Sequence, residues 1–353
     1  MGTGADMSTE TRGTVLVALV ANIAVAIAKS IGGVVSGSSA LMSEAAHSLA
    51  DTLNEVFLLL SLSRADRPAD RDHPFGHGKE RFFWSLLAAV GIFVSGAGYS
   101  AYQGVSALTE HHSVTSTREF VVVYAVLGMS LVLEGISLRQ AVAQVRSEAS
   151  AARRTPLAYV RRSPDPTVKT VASEDTVAVT GVLVALVGTA LHQLTGDPLW
   201  DGTASLVIAA LLTYVAFLLG RDTKSLLIGE AADPSVRLTA FDVLDGRTEV
   251  VAIKQMLTMQ LGPSSVLVAA RGQFEDSLPA RELARICDEI ESEMRRRMPQ
   301  LQQVFLTPDT VEDGDRERGL AALARTTDEV IALEGQQGVQ RVRTSTARRL
   351  NSR

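Results

Sequence analysis

The sequence predicts a polytopic α-helical membrane protein with six transmembrane helices, followed by a small cytoplasmic α+β domain. Three observations lead to this fold class. Of the 353 residues, 46% are hydrophobic. Nearly all of the long apolar runs lie before residue 221. The sequence after that point has the mixed polarity of a soluble domain, so composition divides the chain into a membrane domain and a soluble one.

Four regions follow from this distribution of residues. We predict a cytoplasmic N-terminus at 1–13, a transmembrane domain at 14–224, an α+β domain at 225–310 and a polar, largely disordered tail at 311–353. The first 13 residues lack a signal-peptide cleavage pattern, so we expect the first apolar run to belong to the mature protein.

Six segments are long and apolar enough to be predicted as membrane helices, each of which needs about 20 mostly apolar residues. Their frequent Gly, Ala and Ser residues predict a closely packed bundle, because small residues let helices approach each other in lipid. The segments are 14–35, 40–62, 82–108, 120–145, 167–191 and 199–219.

Lys and Arg residues predict the orientation of the bundle. They concentrate in the connections between helices 2 and 3 and between helices 4 and 5, whereas the other connections carry at most Arg118. Because cytoplasmic loops are enriched in Lys and Arg, both termini are predicted to be cytoplasmic. We expect an integral protein of the cell (plasma) membrane, embedded in the lipid bilayer.

After Gly229 the pattern changes to that of an α+β layer. Apolar residues at helical spacing predict two helices, and two β-rich runs joined by the turn at Gly262-Pro263 predict a hairpin. A third strand completes the order α-β-β-α-β. The predicted elements are a helix near 233–243, strands at 250–262 and 264–275, a helix at 279–299, a strand at 302–308 and a loose helix at 318–334.

Composition and motifs exclude several classes of function. The net charge of −5 argues against a nucleic-acid partner. Cys287 is the single cysteine, so neither a disulfide within the chain nor a thiolate metal cluster can form. The sequence has no H-E-x-x-H motif, which argues against an intramembrane metallohydrolase, and no re-entrant segment typical of a channel. We therefore expect a protein that is not an enzyme.

Predicted helix 2 carries His47 and Asp51, which lie on one face because residues four apart on a helix are neighbours. A carboxylate inside the bilayer costs several kcal/mol unless it is paired or coordinated. Imidazole and carboxylate together suit zinc-like divalent ions, and a structural hydrogen bond is the alternative. Helix 5 carries Glu174 and Asp175 at a comparable depth, so three ligands from two helices could form an open site.

Two further sets of polar residues are open to a structural or a functional interpretation. Asp70, His73 and His77 lie within eight residues of the connection after helix 2 and could bind metal, sense pH or form a solvated turn. Lys29 and Glu134 are intramembrane; they could pair with each other, or Glu134 could belong to a proton path.

Four segments resemble the cation diffusion facilitator family of proton-coupled exporters of zinc and related metals. They are "GSSALMSEAAHSLADTLNE", "RPADRDHPFGHGKERFFW", "RSPDPTVKTVASEDTVAVTG" and "TGDPLWDGTASLVIA". The resemblance covers roughly residues 14–310, and the segment before helix 5 is similar to the branch that includes mitochondrial-type members. It implies six membrane helices, a ferredoxin-like cytoplasmic domain and a homodimer.

The resemblance also implies the metal ligands. In the transport site, the helix 2 motif falls on His47 and Asp51, and the helix 5 motif ends at Asp175. Its first position falls on Val171, which cannot bind metal, so Glu174 or water would complete the site; the alternative pairing of Thr170 with Glu174 offers weaker ligands. The family's second site, on the cytoplasmic loop, is matched by Asp70, His73 and His77.

The predicted function is proton-coupled efflux of divalent metal cations from the cytoplasm by alternating access. Zinc is the first candidate for the transported substrate, with cobalt, iron(II) and manganese as alternatives, and no resident cofactor is expected. The predicted partners are metal cations, protons, the lipid bilayer and a second copy of the chain. The departure at Val171 supports an alternative, a degenerate non-transporting membrane scaffold or regulator.

Overall fold

The computed structural model describes residues 4–110, 116–152, 154–163, 165–309 and 324–328. The described residues form two compact units. One consists of residues within Met1–Val145 and Pro166–Ser225, and the other of residues within Arg146–Asp165 and Leu226–Arg353. The segment 146–165 thus groups with the C-terminal unit, whereas the sequence-based boundaries had assigned it to the transmembrane domain.

The first unit is built from long helices. The third predicted membrane helix contains a π-helical segment, Ile92–Gly98, which divides it into α3 and α4, and a short helix that was not predicted from the sequence precedes α7. The helices that lie mainly in the first unit are α1 Gly4–Ser36, α2 Ser39–Ala65, α3 Glu80–Gly91, α4 Tyr99–Glu110, α5 Thr117–Ala151, α7 Pro166–Thr195 and α8 Leu199–Ile228, and the short helix α6 Pro156–Arg162 belongs to the second unit.

Four stretches of the described chain are long and apolar enough to cross a membrane: Glu80–Thr109, Thr117–Ala151, Val168–Thr195 and Leu199–Ile228. This number is smaller than the six predicted from the sequence. The described apolar part of α1 is short, Asn22–Ser36. Helix α2 carries three carboxylates, Glu44, Asp51 and Glu55, which lower its hydropathy. The crossing of α1 and α2 therefore stays a prediction.

Helix α2 lies at the centre of the first unit, where it packs against α1, α3, the π-helical segment, α4 and α7. Its N-terminus is held by Asp201 of α8, whose carboxylate accepts hydrogen bonds from Ser38 Oγ at 3.0 Å and from the Ala40 amide at 3.1 Å. A carboxylate is favourable there because unpaired amides and the helix dipole make that end positive. These contacts fix the end of α2 that precedes its polar face.

The C-terminal unit confirms the predicted order α-β-β-α-β. Its sheet has the order β1-β2-β3, with β1 antiparallel to β2 and β2 parallel to β3. Both helices contribute to one apolar core with the sheet, including Phe241, Ile286 and Ile290. The ferredoxin-like assignment stays a prediction. The elements are α9 Pro234–Asp245, β1 Val250–Gly262, β2 Ser265–Phe274, α10 Ala280–Arg297 and β3 Leu301–Pro308.

Arg154 joins the segment after α5 to the start of α9. Its guanidinium donates to both carboxylate oxygens of Asp233, at 2.9 and 2.8 Å, and Asp233 also caps α9 by accepting from the Ser235 amide. Burial alone would raise the pKa of Asp233, but the Arg154 and Ser235 hydrogen bonds hold it below its usual range. This ion pair connects the segment 146–165 to the rest of the C-terminal unit.

The predicted tail lies largely outside the described residues. Within the loose helix expected at 318–334, residues 324–328 are helical, and the remainder of that prediction falls outside the described residues.

Candidate metal centres

The loop between α2 and α3 brings its three predicted ligands together. Asp70, His73 and His77 each offer a ligand atom, and these atoms all lie within 4.8 Å of one another. Asp70 Oδ1 is 3.3 Å from His73 Nδ1, and Asp70 Oδ2 is 3.0 Å from His77 Nε2. In the described part of the chain, no other three His, Cys, Asp or Glu residues meet this criterion.

The local sequence explains why this loop folds as it does. Asp70 Oδ1 accepts hydrogen bonds from the amides of Asp72 at 3.0 Å and His73 at 2.7 Å, the type of turn that an Asp side chain favours. Gly76 adopts φ 80°, which a glycine allows without strain, so that His77 turns back toward Asp70. The loop is thus held in this shape by its own hydrogen bonds.

The loop cluster combines an exposed edge with one buried ligand. The side chains of Asp70 and His73 are 52% and 58% exposed, whereas that of His77 is 7% exposed. The hydrogen bonds from the His73 backbone and the His77 side chain lower the pKa of Asp70 to about 2, so this carboxylate is ionised at neutral pH. Two imidazoles and one carboxylate fit zinc and leave a fourth position for water.

A second set of candidate ligands lies inside the helical unit. His47 and Asp51 share one face of α2, with His47 Nδ1 3.5 Å from Asp51 Oδ1. The His47 side chain is 2% exposed, and neither of its ring nitrogens has a hydrogen-bond partner. The same is true of Asp51 Oδ1. Two neighbouring ligand types thus present unpartnered atoms in a buried position.

Helix α7 packs against α2 and contributes Glu174 and Asp175. Glu174 Oε2 accepts from Asn54 of α2 at 2.7 Å, and Asp175 Oδ1 accepts from Ser137 of α5 at 3.1 Å. The second oxygen of each carboxylate is buried without a partner. Asn54 therefore forms a hydrogen bond between two helices, and both predicted α7 ligands keep one oxygen free.

The four predicted transport-site ligands are near one another but are not assembled as closely as the loop ligands. Asp51 interacts electrostatically with Asp175, and Glu174 interacts with both of them. No three of the four meet the 4.8 Å criterion that the loop cluster meets in the described residues. The side chain of Val171 lies outside the described part. The ligand assignment of this site stays a prediction.

Sequence reasoning missed Glu44. Lys29 Nζ donates to Glu134 Oε1 at 2.6 Å, which confirms the predicted pairing of Lys29 with Glu134, and it also donates to Glu44 Oε2 at 2.9 Å. Glu44 is fully buried. The available signal was a carboxylate three residues before His47 in an apolar stretch of α2, since such a residue needs a partner.

Comparisons with known proteins identify the family of the helical unit. The family described as the cation efflux transmembrane domain matches residues 15–228. The mitochondrial proton-coupled zinc antiporter SLC30A9 of Xenopus laevis is 36% identical over 254 residues, 72% of this chain and 45% of that protein. Metal tolerance protein C4 of Arabidopsis thaliana is 34% identical over 243 residues, 69% of this chain and 52% of its own.

A bacterial relative is matched along nearly its whole length. The manganese efflux system protein MneP of Bacillus subtilis is 25% identical over 298 residues, 84% of this chain and 94% of that protein. In contrast, the chain spans about half the length of the SLC30A9 and C4 relatives. The family match covers most of the helical unit, including α2, α7 and the loop between α2 and α3. The chain belongs to the cation efflux family, the cation diffusion facilitators, and is a multi-pass integral membrane protein.

Proposed function

We propose that the protein exports divalent metal cations from the cytoplasm in exchange for protons. The observation that carries this proposal is the buried face of α2, on which His47 and Asp51 present ligand atoms without hydrogen-bond partners. Leaving buried polar atoms unpaired costs about 1–3 kcal/mol for each. A metal ion bound at the site would offset that cost. No hydrogen bond within the described residues offsets it.

Opposite α2, the carboxylates of Glu174 and Asp175 supply the remaining ligands. Each has one oxygen held by a neighbouring helix and one oxygen free, so each is positioned and still able to bind. Asp175 would complete the three strong ligands with His47 and Asp51. Glu174 or water would fill the position that Val171 cannot.

Proton coupling follows from the chemistry of these ligands. Imidazole and carboxylate bind metal only when deprotonated, so protons compete with metal. Rocking of the helices would expose the site to each side in turn, as in other secondary transporters. Protons that enter from outside would then displace the metal. The activity is transport, and no chemical conversion of a substrate is proposed.

Zinc is the proposed first substrate, because one imidazole with two or three carboxylates suits it. Cobalt, iron(II) and manganese remain substrates to be tested, since oxygen ligands also suit harder ions. Two relatives support this range by their names, one a zinc antiporter and the other a manganese efflux system protein.

The loop cluster of Asp70, His73 and His77 is proposed as a loading site. Its ligands are assembled and partly exposed, so a metal ion could bind there without crossing the bilayer. The Lys and Arg distribution supports a cytoplasmic position for this loop and for both termini. Placement in the cell membrane and assembly as a homodimer are part of the same proposal.

Transport into vesicles tests the proposal. Purified protein in sealed vesicles should move zinc in one direction and protons in the other, recorded with a zinc dye and a pH dye. Vesicles that contain the Asp51→Ala variant should show neither flux. Zinc movement without proton movement would exclude antiport. Absence of both fluxes with the folded parent protein would exclude transport and favour the scaffold alternative.

A further inference from the structure

Three helices meet at a buried ionic cluster that the proposed metal site does not include. Lys29 of α1 donates to Glu44 Oε2 of α2 at 2.9 Å and to Glu134 Oε1 of α5 at 2.6 Å. The side chains of Lys29 and Glu44 are 0% exposed and that of Glu134 is 15% exposed. These three residues are called the Lys29 cluster below.

The charges of the Lys29 cluster do not balance. One ammonium faces two carboxylates, which leaves one negative charge when all three groups are ionised. Each carboxylate uses one oxygen to bind Lys29, and the other oxygens, Glu44 Oε1 and Glu134 Oε2, are buried without hydrogen-bond partners. A buried, uncompensated charge costs several kcal/mol, so a further cation at the cluster is favoured.

The neighbouring charged groups are those of the proposed metal site. His47 and Asp51 of α2 and Asp175 of α7 interact electrostatically with members of the cluster. The free oxygen Glu44 Oε1 points at Gly181 of α7, where a methyl group would clash with it. The free oxygen of Glu44 can therefore occupy this position only because residue 181 has no side chain.

We propose that the Lys29 cluster binds one of the protons that are exchanged for metal, on the free oxygen of Glu44 or Glu134. This inference rests on the proposed antiport function. The proton would enter from the outside, form an O–H bond with a carboxylate oxygen and change the cluster charge from −1 to 0. Release to the cytoplasm would break the same bond, and Lys29 stays protonated throughout.

The cluster charge couples this proton to the metal. Unlike charges attract strongly at short range in a low-dielectric interior. A negative cluster next to His47 and Asp51 therefore favours a bound dication, and a neutral cluster weakens that attraction. Binding of the proton would promote release of the metal although the proton and the metal occupy different residues.

The test is the number of protons exchanged for each metal ion. Vesicles with a fixed zinc gradient are exposed to a series of pH gradients, and the pH gradient at which net zinc flux stops gives this ratio. Glu44→Gln and Glu134→Gln each make the cluster neutral without a proton. Both variants should exchange one proton fewer per zinc ion than the parent, while zinc-for-zinc exchange continues.

Asp201→Asn is the matched control. Asp201 is also a buried carboxylate of the helical unit, but both of its oxygens accept hydrogen bonds, from Ser38 and Ala40. Its substitution should lower thermal stability and leave the ratio unchanged. Glu44→Asp and Glu134→Asp keep the carboxylate and should retain the parent ratio, and they serve if a Gln variant does not fold.

Two outcomes would overturn the inference. One is an unchanged ratio in a folded Gln variant, and the other is an equal loss in the Asp and Gln variants, which would indicate a structural role alone. A parent protein whose zinc flux does not respond to pH would instead contradict the proposed antiport function. The two failures are therefore distinguishable.

Discussion

The loop cluster and the buried face of α2 contain similar ligands in opposite conditions. In the loop, Asp70 accepts hydrogen bonds from both backbone and imidazole, and the three ligand atoms lie within 4.8 Å. On α2, His47 and Asp51 are buried with free ligand atoms. In the loop, Asp70 and His77 have hydrogen-bond partners within the protein, whereas the buried ligand atoms of α2 have none.

This difference has an energetic consequence. Water and backbone amides stabilise the loop ligands, so metal binding there displaces existing hydrogen bonds and yields a modest gain. The buried ligands have no such partners, and a metal ion would remove their unpaired state. A site whose ligand atoms lack hydrogen-bond partners within the protein suits transport, and an assembled, partly exposed site suits capture.

The largest effect is expected when a ligand of the buried site is removed. Asp51→Ala should reduce zinc transport by more than about 100-fold, since even residues that only support a metal ligand contribute about 10–100-fold. Its thermal stability should not fall, because the substitution removes a buried carboxylate oxygen that lacks a partner. Zinc flux and a melting curve measure both. Asp70→Ala is the comparison from the loop and should retain measurable transport.

One outcome of comparing Asp51→Ala with Asp70→Ala would contradict the assignment of the two sites. If Asp51→Ala transports zinc at the parent rate while Asp70→Ala does not, the loop residues carry the transport step and the assignment of the two sites is reversed.

The next largest effect is a difference in zinc transport between variants of Glu174 and Asp175. Asp175→Asn should abolish transport, and Glu174→Gln should reduce it about 10-fold, because water can replace one ligand of a zinc site. Gln can still accept the hydrogen bond from Asn54, so the contact between α2 and α7 should persist. Zinc flux and zinc affinity are measured for both variants.

Glu55→Gln is the control for that pair. Glu55 accepts a hydrogen bond from Asn22 and keeps one oxygen free, as Glu174 does with Asn54, but no ligand role is assigned to it. The Glu55→Gln variant should transport zinc at nearly the parent rate. Equal losses in Glu174→Gln and Asp175→Asn would make Glu174 a full ligand.

Several features of the fold and of the two sites could be predicted from the sequence. The α-β-β-α-β order was predictable because alternating and helical periodicities differ clearly in 234–308. The pairing of Lys29 with Glu134 was predictable because intramembrane charges need partners. The loop ligands lie within eight residues, so short-range geometry alone brings them together.

Other features depend on contacts between distant segments. The role of Glu44 follows from its bond to Lys29 and its approach to Gly181, and neither leaves a spacing pattern in the sequence. The π-helical segment Ile92–Gly98 has an apolar sequence that fits a regular helix equally well. Which oxygens of Glu174 and Asp175 stay free depends on Asn54 and Ser137, which lie on other helices.

A smaller effect is expected in the loop. Replacing His73 and His77 with alanine together should lower transport by no more than about 10-fold without abolishing it, because a loading site supports the transport site and is not part of it, and supporting residues contribute about 10–100-fold. Zinc flux at low zinc concentration should show the largest change, since loading limits the rate there. Asp72→Ala is the control, because its exposed side chain has no ligand role. Complete loss of flux in a folded double variant would contradict the loading role.

The smallest effect concerns the pH dependence of the loop. Hydrogen bonds from His73 and His77 lower the pKa of Asp70 to about 2, and an unfolded Asp has a pKa of about 3.9. For a lowered pKa, the contribution of these bonds to loop stability is fully present above about pH 4 and is lost as pH falls toward 2. Asp70 therefore stays ionised between pH 5 and 8, and its own protonation does not change the affinity of the loop for zinc over that range. Asp70→Asn should lower the affinity of the loop for zinc by the same factor at every pH in this range.

The measurement is zinc titration of the Asp51→Ala variant, in which the buried site is disabled, with and without Asp70→Asn. A ratio of affinities that changes steadily between pH 5 and 8 would show that Asp70 itself titrates there, and the loop would then be a pH sensor.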